Sequence, residues 1–186
     1  MQTKSPIISV SDLYQKINDV NTRIIDTRFS LFNKNEGKTL FDKSHITGAI
    51  YADLDKDLAG NITESSGRHP LPNVNTISGK LRKWGINKLT HVIVYDHNNG
   101  SIASRLWWLL KWLGHEKVSV LDGGLLEWEN NNFPIDNLIS NYEPGNFVPI
   151  LKEDKTWTAE LINKWIKQSK NFFLIDARDE NRYRGI

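Results

Sequence analysis

The pair Asp96-His97 stands where the apolar run "HVIVYD" gives way to the polar loop "HNNGS". An aspartate beside a histidine could serve as an acid/base pair, or the carboxylate could act as a nucleophile. Neighbouring residues on a strand face opposite sides, so the two side chains would not cooperate. No second carboxylate or metal signature accompanies them. A strand that ends in a Gly/Asn/Ser loop of this kind and feeds a helix usually delivers a reactive or anion-binding group at its carboxyl end. The expected role of Asp96 is therefore a strand-end and helix-start cap, accepting N–H groups of Asn98, Asn99 or Gly100. Arginines offer a second kind of chemistry. Arg182 and Arg184 could pair with the oxygens of a small anion through the guanidinium fork, or be solvated surface charges. Asp26-x-Arg28 and Asp176-x-Arg178 read as structural ion pairs, and His45 as a turn or packing residue. "GRHPLP" (67–72) has no second His or carboxylate at ligand spacing, so no metal is expected there. Neither a Gly-x-Gly-x-x-Gly after a strand nor a Gly-Lys-Ser/Thr loop occurs, so no cofactor is expected. Most consequential is an absence: the 186 residues contain no cysteine, hence no disulfide, thiolate metal ligand or cysteine nucleophile.

Positioning Asp96 requires a strand before it and a helix after it. "SIASRLWWLLKWLG" has Leu106, Leu109, Leu110 and Leu113 on one face and Gly114 as its stop. Trp108 and Trp112 share a face at i, i+4 and read as packing residues. Strands are expected over "TRIIDTR" (22–28), "GAIYADL" (48–54), "HVIVYD" and "VSVLDGG". Helices are expected from Ser11-Asp12 towards Asn18, around Ile77, Leu81 and Trp84 with Gly85 as stop, and from Gly124 to Asn130. Strands alternating with helices predict an α/β fold, a mostly parallel sheet with helices on both faces. Ligands then belong beyond the carboxyl ends of the strands, where Asp26, Asp96 and Asp122 all fall.

The chain also repeats itself. "SDLYQKINDVNTRIIDTR" (11–28) is echoed by "TAELINKWIKQSKNFFLIDAR" (158–178), each a capped amphipathic helix and then a strand ending Ile-Asp-x-Arg. The stretch between, rich in Asn, Pro and Gly, reads as a linker. The organisation expected is a domain over 1–140, a linker over 141–156, and the first helix and strand of a second domain over 157–186. That second piece cannot bury a core of its own, so the chain is expected to be truncated, or to pair with another copy by strand exchange. Charge is nearly balanced, 24 Lys and Arg against 22 Asp and Glu. This gives no electrostatic footprint for nucleic acid. No secretion signal or membrane-length apolar run is present, and the expected compartment is the cytoplasm.

Taken in order, "IIDTR", "HITGA", "VIVYDHNNGSIASRLWWLLKWLGH" and "VSVLDGGLLEW" resemble the rhodanese-like sulfurtransferases, in particular the tandem-domain thiosulfate and 3-mercaptopyruvate sulfurtransferases. The resemblance implies two such domains, with the catalytic cysteine in the second only. It also implies that Asp96 occupies the cysteine's position in a non-catalytic first domain. A carboxylate cannot form a stable persulfide, and its charge would repel a sulfane anion. By the same resemblance "LIDARDENRYRGI" corresponds to a stretch that supplies a substrate-binding arginine: Arg182, with Arg184 as neighbour. The implied partners are a small anionic sulfur donor and a thiol or cyanide acceptor. The other reading is a non-enzymatic rhodanese-like module that binds a partner or an anion.

Overall fold

The computed structural model describes residues 5–168 and 171–186, and the chain divides into two compact units, Met1–Lys152 and Glu153–Ile186. In the first unit the strands are β1 (Ile7–Ile8), β2 (Thr22–Asp26), β3 (His45–Ile46), β4 (Ala49–Tyr51), β5 (His91–Tyr95), β6 (Val118–Leu121) and β7 (Ile135–Asp136). Its helices are α1 (Val10–Tyr14), α2 (Glu36–Lys43), α3 (Val74–Lys83), α4 (Ala103–Trp112) and α5 (Gly124–Asn130). Five strands form a sheet in the order β1-β6-β5-β2-β4, and every pairing within it is parallel. A small antiparallel ribbon joins β3 to β7, with His45 opposite Asp136.

The unbroken apolar runs follow from burial on both faces. Because side chains alternate along a strand, Ile25, Val92, Val94 and Val118 enter one core with residues of α3 and α4. Ile24, Ile93, Tyr95 and Leu121 enter the other, against α1, α2 and α5. On α4, Leu106, Leu109 and Leu110 are fully buried, as is Leu113 just beyond it. Each contributes roughly 1.5–3 kcal/mol, which makes α4 a rigid support for the loop preceding it. Trp108 and Trp112 stack with ring centroids 6.0 Å apart. Gly85 and Gly114 end their helices at φ +71° and +83°, the left-handed conformation that a Cβ disfavours. The first helix is capped two residues earlier than expected. Ser9, not Ser11, accepts the Asp12 N–H at 3.1 Å, which brings Val10 inside the helix and into the core.

Much of the expected linker is packed on the first unit. Tyr142 donates to the Gly48 carbonyl at 2.7 Å, and the Gly145, Phe147, Ile150 and Lys152 amides donate to Arg82, Ile86, Leu113 and Trp112. Asn, Pro and Gly report the lack of a regular element, whereas Phe147, 3% exposed, carries the packing. His115, buried, lies edge-on to Phe147 with centroids 5.7 Å apart and its Nε2 2.9 Å from the Thr90 carbonyl oxygen. Burial pushes its pKa below the usual histidine value, against the opposing effect of its backbone hydrogen bonds. The unfolded chain therefore binds this proton more readily than the native one. His115 should cost stability as pH falls below about 6.5 and level off beneath the native pKa. The loss in melting temperature between pH 7.5 and pH 5.5 should shrink in His115→Gln; an unchanged loss would remove His115 as its cause.

The second unit contains a 3₁₀ turn (Glu153–Lys155), α6 (Ala159–Lys167) and α7 (Glu180–Arg184). Thr158 caps α6 by accepting the Leu161 N–H at 3.2 Å, as expected of a helix start. Neither helix buries a residue. The strand expected to end at Ile-Asp-x-Arg is not formed: residues 171–177 are irregular, and Phe173 and Ile175 are 96% and 84% exposed. A strand's N–H and C=O groups need a partner strand, and none exists among the described residues of this unit. Sequence pattern alone cannot supply that partner.

Candidate functional site

At the carboxyl end of β5 the Asp96 carboxylate is 4% exposed and collects three backbone N–H groups. Gly100 donates to Oδ1 at 2.9 Å, and Ile102 and Ala103 donate to Oδ2 at 2.9 and 3.2 Å. Of the alternative donors expected, Gly100 is the one that takes part; Asn99 instead accepts the Ser101 N–H at 3.1 Å. The other two donors are the first N–H groups of α4, whose Ile102 N-cap has no side-chain acceptor of its own. Asp96 thus caps α4 from six and seven residues away, and the positive end of the helix reinforces the attraction. Gly100, at φ +73°, turns the loop back so that these groups converge. His97 is exposed, and no hydrogen bond joins it to Asp96.

A second loop completes the cradle. The Leu125 and Leu126 amides, in the first turn of α5, donate to the Asp96 and His97 carbonyls at 3.0 and 2.9 Å. Gly123 and Gly124 both have positive φ, +69° and +59°. A Cβ on Gly124 would stand 2.7 Å from the Asp96 carbonyl oxygen and 2.9 Å from the Asn98 nitrogen. "LDGG" was legible as a strand end, but its purpose, letting α5 approach the Asp96 loop, was not. A cleft of about 600 Å³ opens over this loop, walled by Phe29, Leu31, Phe32 and Leu40.

Below it lies a buried polar network. Asp26, fully buried, accepts the Arg28 N–H at 2.8 Å on Oδ1, and the Arg28 Nε at 2.8 Å and the Tyr95 hydroxyl at 2.8 Å on Oδ2. Arg28 Nη2 also donates to the Ser44 carbonyl at 2.6 Å, and the Ile46 N–H donates to the Tyr95 oxygen at 3.2 Å. Burial, then the neighbouring Asp26 charge, pushes the Tyr95 pKa well above the usual tyrosine value, so it remains a donor. Every member is satisfied, which is what a buried charge requires. His45 is likewise structural, its ring stacked on Phe41 at 3.8 Å.

The second unit repeats the Asp-x-Arg clamp at atomic detail. The Arg178 N–H and Nε both lie 2.9 Å from Asp176 Oδ1, yet the pair is solvent-exposed. The Arg178 hydrogen bonds hold the Asp176 pKa down at about 2. Arg182 and Arg184 lie together on α7, capped by Asp179, which accepts the Arg182 N–H at 3.0 Å. Arg184 pairs with Glu180 at 2.6 Å; Arg182 has no ion pair among the described residues. Asp96 belongs to the first unit and both arginines to the second. Among the described residues no group of three His, Cys, Asp or Glu is placed to hold a metal ion, and no helix is long and apolar enough to cross a membrane.

Comparison with known proteins agrees with this geometry. The sequence profile of the rhodanese-like domain matches residues 9–131. A probable 3-mercaptopyruvate sulfurtransferase of Pseudomonas aeruginosa is 32% identical over 98% of this chain and 65% of its own length. The 3-mercaptopyruvate sulfurtransferase of Mus musculus is 34% identical over 78% of this chain and 48% of its own. The crystal structure of the 3-mercaptopyruvate sulfurtransferase SseA from Escherichia coli superposes with a TM-score of 0.84 at 27% identity, covering 97% of this chain and 68% of that one. The chain therefore spans about half to two thirds of the length of the curated relatives it matches.

Proposed function

Since this chain belongs to the rhodanese-like domain family, we propose that it is the N-terminal, non-catalytic portion of a two-domain sulfurtransferase. The observation that carries the reading is the Asp96 cradle: an anion nest at the end of β5 filled by the chain's own carboxylate, in a sequence without a thiol. In the intact protein a cysteine outside these residues, as a thiolate, attacks the mercapto sulfur of 3-mercaptopyruvate, breaking its C–S bond, or the sulfane sulfur of thiosulfate, breaking its S–S bond. Pyruvate, as its enolate, or sulfite departs with the electron pair, and the persulfide then passes its sulfur to a protein thiol or cyanide. Arg182, with Arg184 beside it, holds the donor's anionic group. The cytoplasm is the proposed compartment.

Four measurements test this. The 186-residue chain should form no thiocyanate from cyanide with either donor above a protein-free blank; turnover above the blank would sink the assignment of the thiolate to another segment. In the protein encoded by the uninterrupted reading frame, Arg182→Ala should raise the donor KM by about tenfold or more, the loss of a charge-assisted pair of roughly 1.5–3 kcal/mol. An unchanged KM would return Arg182 to the solvated surface. A frame that continues past codon 186 into a second His-Ile-x-Gly-Ala and a strand ending Tyr-Cys supports the enzyme. A stop codon there favours the non-enzymatic binding module, in which exposed Phe173, Leu174 and Ile175 would be covered by another copy. Sedimentation at several concentrations would detect that dimer.

A further inference from the structure

The sequence contains one Asn-Gly dipeptide, Asn99-Gly100, and it stands in the Asp96 loop. Asparagine before glycine is prone to a reaction of the chain on itself. The glycine backbone nitrogen attacks the side-chain amide carbon, and glycine has no Cβ to obstruct the approach. The fold treats the two reacting groups in opposite ways. Asn99 is exposed and lines the cleft over the loop, and its Oδ1 accepts the Ser101 N–H at 3.1 Å. That bond turns the side-chain carbonyl towards the following backbone and draws electron density from Cγ, the atom to be attacked. Gly100, by contrast, gives its N–H to Asp96 Oδ1 at 2.9 Å. The Asp96 carboxylate is buried and also holds the start of α4 through the Ile102 and Ala103 amides. The nitrogen attacks after losing its proton, and a carboxylate beside it opposes the negative charge that this loss creates.

We propose that Asn99-Gly100 is a self-modification site held closed by Asp96: Ser101 primes the electrophile, and the nucleophile is withheld until the cap on α4 opens. In the open loop the Gly100 N–H gives its proton to water and the nitrogen bonds to Asn99 Cγ. The Cγ–Nδ2 bond breaks and Nδ2 leaves as ammonia, taking up a proton from water. A second water then opens the cyclic imide at either carbonyl, leaving an aspartyl or an isoaspartyl residue at position 99. While the imide stands, Gly100 has no hydrogen to give Asp96, and the isoaspartyl product lengthens the loop backbone by a methylene group. Both products add a carboxylate beside Asp96. The reaction is the loop's own and stands whether or not the intact protein moves sulfur.

Peptide mapping by mass spectrometry, after incubation at mildly alkaline pH, gives the rate of amide loss at Asn99. The folded chain should react at least about tenfold more slowly than the urea-unfolded chain, because the reaction waits on local opening. Asp96→Asn, which keeps the size and one acceptor oxygen but removes the charge, should raise the folded-state rate by about tenfold, the opening that a weakened helix cap confers. Ser9→Ala removes a cap of the same kind from α1 and should leave Asn99 at the parent's rate. All chains are compared at a temperature where circular dichroism shows them folded, with Asp96→Ser in place of Asp96→Asn should the latter not fold. The proposal is overturned if the folded chain reacts as fast as the unfolded one, or if the Asp96 variant reacts at the parent's rate. It is overturned equally if Ser9→Ala accelerates the reaction as much as the Asp96 variant does, since global opening would then be the gate.

Discussion

Asp26→Ala is expected to destabilise the first unit by about 3–5 kcal/mol, the cost of leaving one partner of a buried ion pair uncompensated. The carboxylate accepts from the Arg28 backbone, the Arg28 guanidinium and the Tyr95 hydroxyl, and Arg28 is only 5% exposed. Removing it strands a guanidinium and a phenol in a site closed to water. Urea denaturation followed by tryptophan fluorescence measures the effect, and a loss under about 1 kcal/mol would show that the network relaxes around the gap. The repeated motif supplies an internal control. Asp176 holds Arg178 with the same geometry in solvent, where water replaces the lost partner. Asp176→Ala should leave the denaturation midpoint of the first unit unchanged.

Asp96→Cys is expected to place a thiolate at neutral pH where the chain has no thiol at all. Three N–H groups and the N-terminus of α4 converge on that position, and donors to the charged form lower a pKa. A cysteine there should titrate below about 7, against about 8.5 for an unperturbed thiol. The pH dependence of its alkylation by iodoacetamide reports the midpoint. His97→Cys, one residue further along and exposed, provides the reference with an ordinary value. If Asp96→Cys titrates at or above that reference, the loop is a cap for one carboxylate and not a general anion cradle. The assignment of Asp96 to a position occupied by cysteine in catalytic domains would then lose its physical support.

The sequence and the structure agree where the determining contacts are local. The four leucines of the helix after Asp96, the glycines that stop helices, and the Asp-x-Arg pairs depend on spacings of a few residues, which periodicity and side-chain length reveal. Disagreement begins where contacts are long-range. Asp96 lies four residues from Gly100, a donor that turn chemistry anticipates. Ile102 and Ala103 become donors because α4 starts without a capping side chain. That exact start is set by packing of its leucines on the sheet. The expected linker reads as loose from its composition, yet Phe147 and the backbone at Gly145 bind surfaces some sixty residues earlier in the chain.

What these residues determine by themselves is the chemistry that is absent and the architecture that must surround it. Without a thiol no persulfide can form on this chain, and the alternation of apolar strands with amphipathic helices leads to a parallel sheet whose strand ends hold Asp26 and Asp96. Tertiary structure alone decided that Tyr95, 69 residues from Asp26, closes the Asp26–Arg28 network, and that Gly124 brings α5 against the Asp96 loop. It also decided that the stretch ending in Asp176 remains irregular. Strand pairing is the common reason: it joins distant segments in one register, and a segment without a partner has nothing to satisfy its backbone.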